Sequence, residues 1–258
     1  MEQELQDVEH YARIVAGCES INHVLSGNGK LTEDGRYAQS VLKLRAQDEF
    51  GALAGNESLL EGIKKGARKL KEWIAALVKS VLGYITGSTK KVKEVSARAD
   101  EFAKKYNALK ADQKEQVQEK AKPVLTAHAK VFLRIVEKLE ALHKEGEDKA
   151  FEAVGFKPDL EGCAKRMKAA ADAAEEGNWI PAAGELKLAI GNIDGQLNSV
   201  TSKLNSFKDG EETPERNSAA GKVASWLNKA TAVSHSMSMN FAGVNEKALL
   251  WLDDFMTK

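Results

Sequence analysis

The side chains of this chain that could bind a metal, act as a nucleophile or move a proton are few, and their spacing builds no recognised site. The five histidines are His10, His23, His128, His143 and His235; none falls in an HExxH pattern and none neighbours a cysteine pair. Glu140 and His143, within LEALH, form one Glu-x-x-His pair, the arrangement that two helices of a di-iron bundle would each supply. Asp7 with His10 differs in residue type and no second Glu-x-x-His occurs, so neither a metal nor a cofactor is expected. Cys18 and Cys163 are isolated thiols, which suit a reducing compartment better than a disulfide scaffold. Ser234, His235 and Ser236 lack a nucleophile-elbow context. Gly29-Lys30 is followed by Leu31, where a phosphate loop needs Ser or Thr. His128 falls on an apolar stripe with no carboxylate four residues away, as a hydrogen-bonded core histidine does. Enzymatic activity is therefore not expected.

The elements that carry these residues read as helices. The chain has 258 residues, 29% of them charged, and only four prolines, with few runs of Val, Ile and Thr. Gln3 to Leu25 has helical spacing through Leu5, Val8, Ile14, Val15, Cys18, Ile21 and Val24. Thr32 is placed to cap a second helix carrying Tyr37, Val41 and Leu44, and Gly51 to Asn56 reads as a flexible break. Steps of three and four recur through Val92, Val95, Ala99, Phe102, Tyr106 and Leu109. They recur through Leu125, His128, Phe132, Ile135, Leu139 and Leu142 after an expected kink or break at Pro123. Gly146 to Pro158 reads as a connection, followed by a helix with Leu160, Cys163, Met167, Ala171 and Ala174 and a turn at Glu176-Gly177-Asn178. Two more stripes run from Leu186 through Ile190, Ile193, Leu197, Val200 and Leu204 to Phe207, and from Val223 through Trp226, Ala230, Val233, Met237, Phe241, Val244, Ala248 and Trp251 to Phe255. The expected fold is an all-α, elongated antiparallel bundle with coiled-coil-like heptad packing. Its expected divisions are an acidic helical segment 1–61, a main bundle 62–207, a linker 208–217 (KDGEETPERN) and a C-terminal helix 218–258 packing on the bundle.

The most basic and most hydrophobic stretch is Ser58 to Gly87. Ile63, Ala67, Leu70, Ile74, Leu77, Val81 and Tyr84 lie on one helical face, widened by Trp73, Val78, Leu82 and Ile85. Lys64, Lys65, Arg68, Lys69, Lys71 and Lys79 lie mostly opposite. Ser58 and Glu61 have capping-box spacing, and Gly87 is the expected stop. A strongly amphipathic helix with a Lys/Arg face and a Trp/Leu/Ile face could lie on an anionic membrane surface. A bundle helix with one solvated side accounts for the same residues, and the apolar stripes elsewhere in the chain favour it. Spanning is excluded, because the uncharged run Val81 to Thr89 falls far below the roughly 20 residues required. Basic residues on this stretch and at Lys90, Lys91 and Lys93 also allow non-specific DNA contact, though no recognised motif frames them. The formal charge of zero hides an asymmetry: Met1 to Glu61 has five basic and eleven acidic side chains, a net −6, so the remainder carries +6. The acidic N-terminus lacks the apolar core of a secretory signal.

Leu59-Leu60-Glu61-Gly62, at the point where the charge reverses, resembles the processing site of large contractile-tailed bacteriophages, whose prohead proteases cut after Glu in a Leu/Ile-x-Glu-small pattern. In composition and in lacking enzyme motifs, the chain is similar to the internal head and prohead core proteins of those phages, which are small, helical and Lys/Glu-rich. The resemblance implies a non-enzymatic internal virion protein that is cut after Glu61 at a site formed by Leu59, Glu61 and Gly62. It implies assembly in the host cytoplasm, a final place in the virion interior beside packaged DNA, and other virion proteins as partners. Self-association is compatible with it. The alternatives are a membrane-active bundle that uses the basic amphipathic helix 62–87 and a generic helical interaction protein.

Overall fold

The computed structural model describes the backbone of residues 1–27, 29–50, 56–210 and 213–256, and the side chains of these except 49–50, 56–59, 67 and 247–256. Among the described residues every regular element is an α-helix: α1 (Glu2–Leu25), α2 (Glu33–Phe50), α3 (Asn56–Arg68), α4 (Leu70–Ala108), α5 (Ala111–Glu145), α6 (Lys149–Val154), α7 (Glu161–Glu175), α8 (Trp179–Phe207) and α9 (Pro214–Met256). The chain is an all-α helical bundle, as the three-four spacing predicts. The expected break over 51–55 and the side chains of Ser58, Leu59, Ala67, Ala248, Trp251 and Phe255 lie outside the described residues.

The chain divides into two compact units: unit 1 comprises 1–84, 145–158 and 197–231, and unit 2 comprises 85–144, 159–196 and 232–258. Each is drawn from three stretches, so the division cuts across the expected boundaries at 61, 207 and 217. Residues 1–61 do not stand apart. They supply α1 and α2 to unit 1, where both helices pack on each other and on α3 and bury Val8, Ile14, Val15, Ile21, Ala38 and Leu42.

Within unit 1, Thr32 caps α2 as expected, its Oγ1 accepting from Gly35 N at 3.0 Å. The buried face of α2 differs from the expected one. Ala38, Leu42 and Ala46 are buried, while Leu44 is 63% exposed. The cause is a close antiparallel crossing at Gly17 of α1. A Cβ there would lie 2.2 Å from the Asp34 carbonyl oxygen and 2.7 Å from the Ala38 Cβ. Only small residues fit the seam, so Tyr37 moves to its margin, where its hydroxyl is 2.7 Å from His10 Nδ1 and its ring lies 4.1 Å below the Arg13 guanidinium. Arg13 Nε also donates to Asp34 Oδ1 at 3.2 Å. The expected connection 146–158 contains the short helix α6. Asp148 caps it by accepting from Ala150 N at 2.8 Å, and the Phe151 ring packs edge-on against Trp226 at 5.6 Å.

Within unit 2, α5 runs through Pro123 without a break. A proline interior to a helix forfeits one hydrogen bond, and here Val117, Ala121, Leu125 and Ala129, buried on both sides of it, hold the helix in place. α7 and α8 pair antiparallel: Cys163 Sγ donates to Ala189 O at 3.3 Å and Arg166 bonds Glu185 at 3.1 Å. Their turn uses Gly177 at φ 85°, a left-handed conformation that suits glycine, as the sequence indicates. The stripe Val92 to Leu109 is shallower than its spacing suggests; Phe102 is buried, while Val92, Val95, Ala99, Tyr106 and Leu109 are half-buried.

Both cysteines are free and buried. Burial pushes the Cys18 thiol up to about 12; burial, reinforced by the neighbouring Asp194 carboxylate, does the same for Cys163. At about pH 8 neither thiol should react with a soluble thiol reagent while the chain is folded, because the thiolate is the reactive species. Both should react on unfolding. Rapid modification of either in the native protein would contradict this packing.

Candidate functional site

The expected single helix from Ser58 to Gly87 is two helices, broken at Lys69 rather than stopped at Gly87. α3 begins at Asn56, which places Ser58 inside the helix rather than at its cap. At the break Lys69 N bonds to Gly66 O at 3.1 Å, and the same carbonyl accepts from the Trp73 indole Nε1 at 3.2 Å. The indole thus takes up a carbonyl that an unbroken helix would bond through its own backbone. Trp73 is held in place by Arg45, whose guanidinium lies 4.3 Å over its ring, and by Tyr11, 6.3 Å away. Gly87 does not end α4, which continues to Ala108. A mid-helix glycine costs on the order of 1 kcal/mol, and the buried side chains flanking it, Tyr84 and Ser88, keep the helix in place.

This geometry sorts the sequence-predicted site residues. Lys64, Lys65, Arg68, Lys69, Lys71 and Lys79 are all exposed. Trp73 is not among them: it is 4% exposed and offers no surface to DNA or to a membrane. Glu61 is exposed and pairs with Lys65 at 3.9 Å, and Lys69 pairs with Glu72 at 3.8 Å. Such exposed pairs contribute about 0–1 kcal/mol and neutralise little. Lys64, Arg68 and Lys71 have no ion pair among the described residues. Lys64 and Arg68 are one helical turn apart on α3, and Lys71 and Lys79 lie roughly 12 Å apart along α4. Behind them Ile63, Leu70, Ile74, Leu77, Val78, Val81 and Tyr84 are buried, as expected, but Leu82 is 40% exposed. At the expected processing site, Leu60 is 47% exposed and Gly62 is buried within α3.

Two residues that the sequence assigns to a linker join this surface. Lys208 and Arg216 line a shallow cleft of about 20 Å³ together with Lys71. Arg216 is fixed there by Phe207: its guanidinium donates to the Phe207 carbonyl and lies 3.7 Å over the ring. The signal present in the sequence was a basic residue at each end of KDGEETPERN, but nothing local shows that the chain folds back onto the start of α4.

Spacing alone also did not reveal a buried polar cluster in unit 2. Ser234 Oγ donates to Asp194 Oδ1 at 2.6 Å, Ser88 Oγ donates to Oδ2 at 3.1 Å, and the Ser238 hydroxyl is 3.2 Å from that of Ser88. Asp194 is 8% exposed, and burial raises its pKa, offset in part by the bonds from Ser234 and Ser88. Ser88 and Ser234 are bonded to Asp194, Ser238 is paired with Ser88, and all three are buried, so the cluster ties α4, α8 and α9 together within unit 2. The available signal was a carboxylate on an apolar stripe: Asp194 lies four residues after Ile190 and three before Leu197.

Of the histidines, His128 and His143 are likewise engaged in structure. His128 is half-buried with Nδ1 3.1 Å from Asn240 Oδ1, as its stripe position predicts. His143 Nδ1 accepts from Leu160 N at 3.2 Å, while its sequence partner Glu140 is exposed. Among the described residues no three His, Cys, Asp or Glu side chains group as metal ligands, and no helix is long and apolar enough to cross a membrane.

By fold and site, then, the chain is an all-α helical bundle carrying a basic face on α3 and α4. Comparison with protein-family models, with curated proteins and with solved structures gives no match.

Proposed function

We propose that the chain is a non-enzymatic structural protein of the interior of a tailed-phage particle, and that the α3–α4 face contacts the phosphates of packaged DNA. One observation carries the reading: six exposed cations stand between Lys64 and Lys79, where Glu61 and Glu72 pair with Lys65 and Lys69, while the apolar side of the same stretch is buried in unit 1. A cationic surface of this kind attracts polyanions without regard to sequence. The same burial weighs against the membrane-active alternative, because lipid insertion needs that apolar side free. Assembly in the host cytoplasm with other virion proteins belongs to the same proposal, on the strength of the Leu59-Leu60-Glu61-Gly62 resemblance.

Processing after Glu61 is part of the proposal, with a physical condition attached. The bond lies in helical backbone with Gly62 buried, and residues 1–61 supply α1 and α2 to unit 1. Cleavage therefore acts on a chain whose α3 is open, before unit 1 has closed. Departure of 1–61 would remove α1 and α2, the two helices on which α3 packs.

The test is a salt titration of the full chain on random-sequence duplex DNA, beside a Lys64→Ala/Arg68→Ala/Lys71→Ala variant. These three side chains are exposed, so the fold should be unaffected. The full chain should bind without sequence preference. The variant should bind more weakly, with its log–log salt slope reduced by about 0.9 for each phosphate it no longer neutralises. Equal binding and equal slopes would remove the face from the proposal. Binding to anionic vesicles but not to DNA would favour the membrane reading.

A further inference from the structure

Unit 1 contains an open cleft of about 480 Å³ lined by the end of α1 and the start of α9. Glu19, Asn22, His23 and Ser26 line it from α1, and their spacing of three and four places them along a single face. Thr213, Pro214 and Asn217 complete the lining. The volume lies within the roughly 300–1,000 Å³ of small-molecule sites, but the usual apolar lining is missing. Pro214 is the only apolar side chain of the cleft. Its polar groups are within reach of solvent: Glu19, Asn22, Thr213 and Asn217 are half-buried, and His23 and Ser26 are exposed. Among the described residues the side chains of Glu19, Asn22, His23 and Asn217 make no hydrogen bond or ion pair. Ser26 Oγ donates to Asn22 O at 2.9 Å and keeps its acceptor capacity. Thr213 Oγ1 accepts from Arg216 N at 3.2 Å and keeps its donor.

The chemistry of this lining defines what it would take. Neighbouring side chains on the α1 face stand about 5–6 Å apart at their Cβ atoms. Along that row a carboxylate that only accepts is followed by an amide that both donates and accepts, and Asn217 supplies a second such amide. A complementary ligand must donate and accept at several closely spaced atoms, which is the chemistry of a polyol. No Lys or Arg lines the cleft, so an anionic ligand would meet Glu19 without a counterion. No second carboxylate lines it either, so a polycation would find a single charge. We propose that this cleft binds a neutral saccharide of one or two rings, whose hydroxyls donate to the Glu19 carboxylate and exchange hydrogen bonds with the Asn22 and Asn217 amides, with a C–H face of the ring against Pro214. The activity goes beyond DNA contact and does not depend on it. Asn217 also borders the cleft of Lys71 and Arg216, so the test varies α1 instead.

The probes are glucose, galactose, mannose, maltose and lactose, added singly to the full chain and followed by the imidazole C–H resonances. The chain has five histidines, and His23→Gln identifies the relevant signal. At least one saccharide should shift that signal saturably. Glu19→Gln and Asn22→Ala should each weaken the tightest binder about tenfold, the worth of one hydrogen bond to a charged or amide group. Neither side chain has a partner in the fold, so both variants should keep the parent's melting temperature. The uronate of the tightest monosaccharide, which carries a carboxylate on the same ring, should bind more weakly than its neutral parent. Glu19→Gln should narrow that difference, which a merely structural Glu19 would leave unchanged. A His23 signal unmoved by every saccharide at its solubility limit would mean that the cleft holds only water and would overturn the proposal. Binding undiminished in both folded variants, or tighter binding of ethylenediamine than of any saccharide, would overturn it as well.

Discussion

Leu139→Ala should destabilise the protein by about 2–5 kcal/mol. Leu139 is 0% exposed, on the face of α5 that also buries Phe132, Ile135 and Leu142. Those neighbours fix the helix above and below the truncated side chain, so the site has little freedom to collapse and most of the cavity remains. The measurement is the denaturant midpoint at unchanged slope, which isolates a stability change from a change in the exposed surface. Leu133→Ala is the control on the same helix. Leu133 is 39% exposed, and its loss should stay within about 0.5 kcal/mol. Equal effects at the two positions would show that the face of α5 is wrongly assigned.

The second large effect centres on Asp194. Asp194→Ala leaves the buried hydroxyls of Ser88 and Ser234 without their acceptor, at a cost of about 1–3 kcal/mol for each group left unpaired. Asp194→Asn keeps an acceptor and removes the charge, and its effect should depend on pH. Burial raises the folded-state pKa of Asp194 above its usual 3.8, so the folded chain holds a proton that the unfolded chain has released. Stability from this group is full below the unfolded pKa and is lost as pH rises through the window up to the folded pKa. The asparagine variant has no such loss. Its stability relative to the parent should therefore rise from about pH 4 and level off once Asp194 ionises in the fold. A difference that stays flat with pH would mean that Asp194 titrates as if exposed.

How much of this was legible in the sequence follows from what the spacing encodes. A three-four repeat specifies which side of a helix is apolar, and for α5, α7, α8 and α9 this located the core: Leu125, Met167, Leu197 and Trp226 are all buried where the stripes place them. Where a side chain was decided by its neighbours in space, the spacing was silent. On α2 the stripe chosen by size, Tyr37 and Leu44, gave way to Ala38 and Leu42 because α1 approaches too closely at Gly17. Gly87 looked like a stop, yet α4 runs on through it. Lys69, with no breaking residue type, is where the helix ends, its backbone repaired by an indole four residues on. At the site, the cations were legible because they are local. The removal of Trp73 from that surface and the arrival of Lys208 and Arg216 were not, since both depend on contacts between residues far apart in the chain.

The proposed role rests on where the basic face lies in an assembled particle. Ultraviolet cross-linking of purified tailed-phage particles from the chain's own source, with mass spectrometry of the DNA-linked peptides, addresses this directly. The expected result is that the chain is present and that its DNA adducts concentrate on peptides spanning Lys64 to Lys79 and on Lys208. Absence of the chain from the particles, or adducts spread over its surface with none on that face, would contradict the proposal.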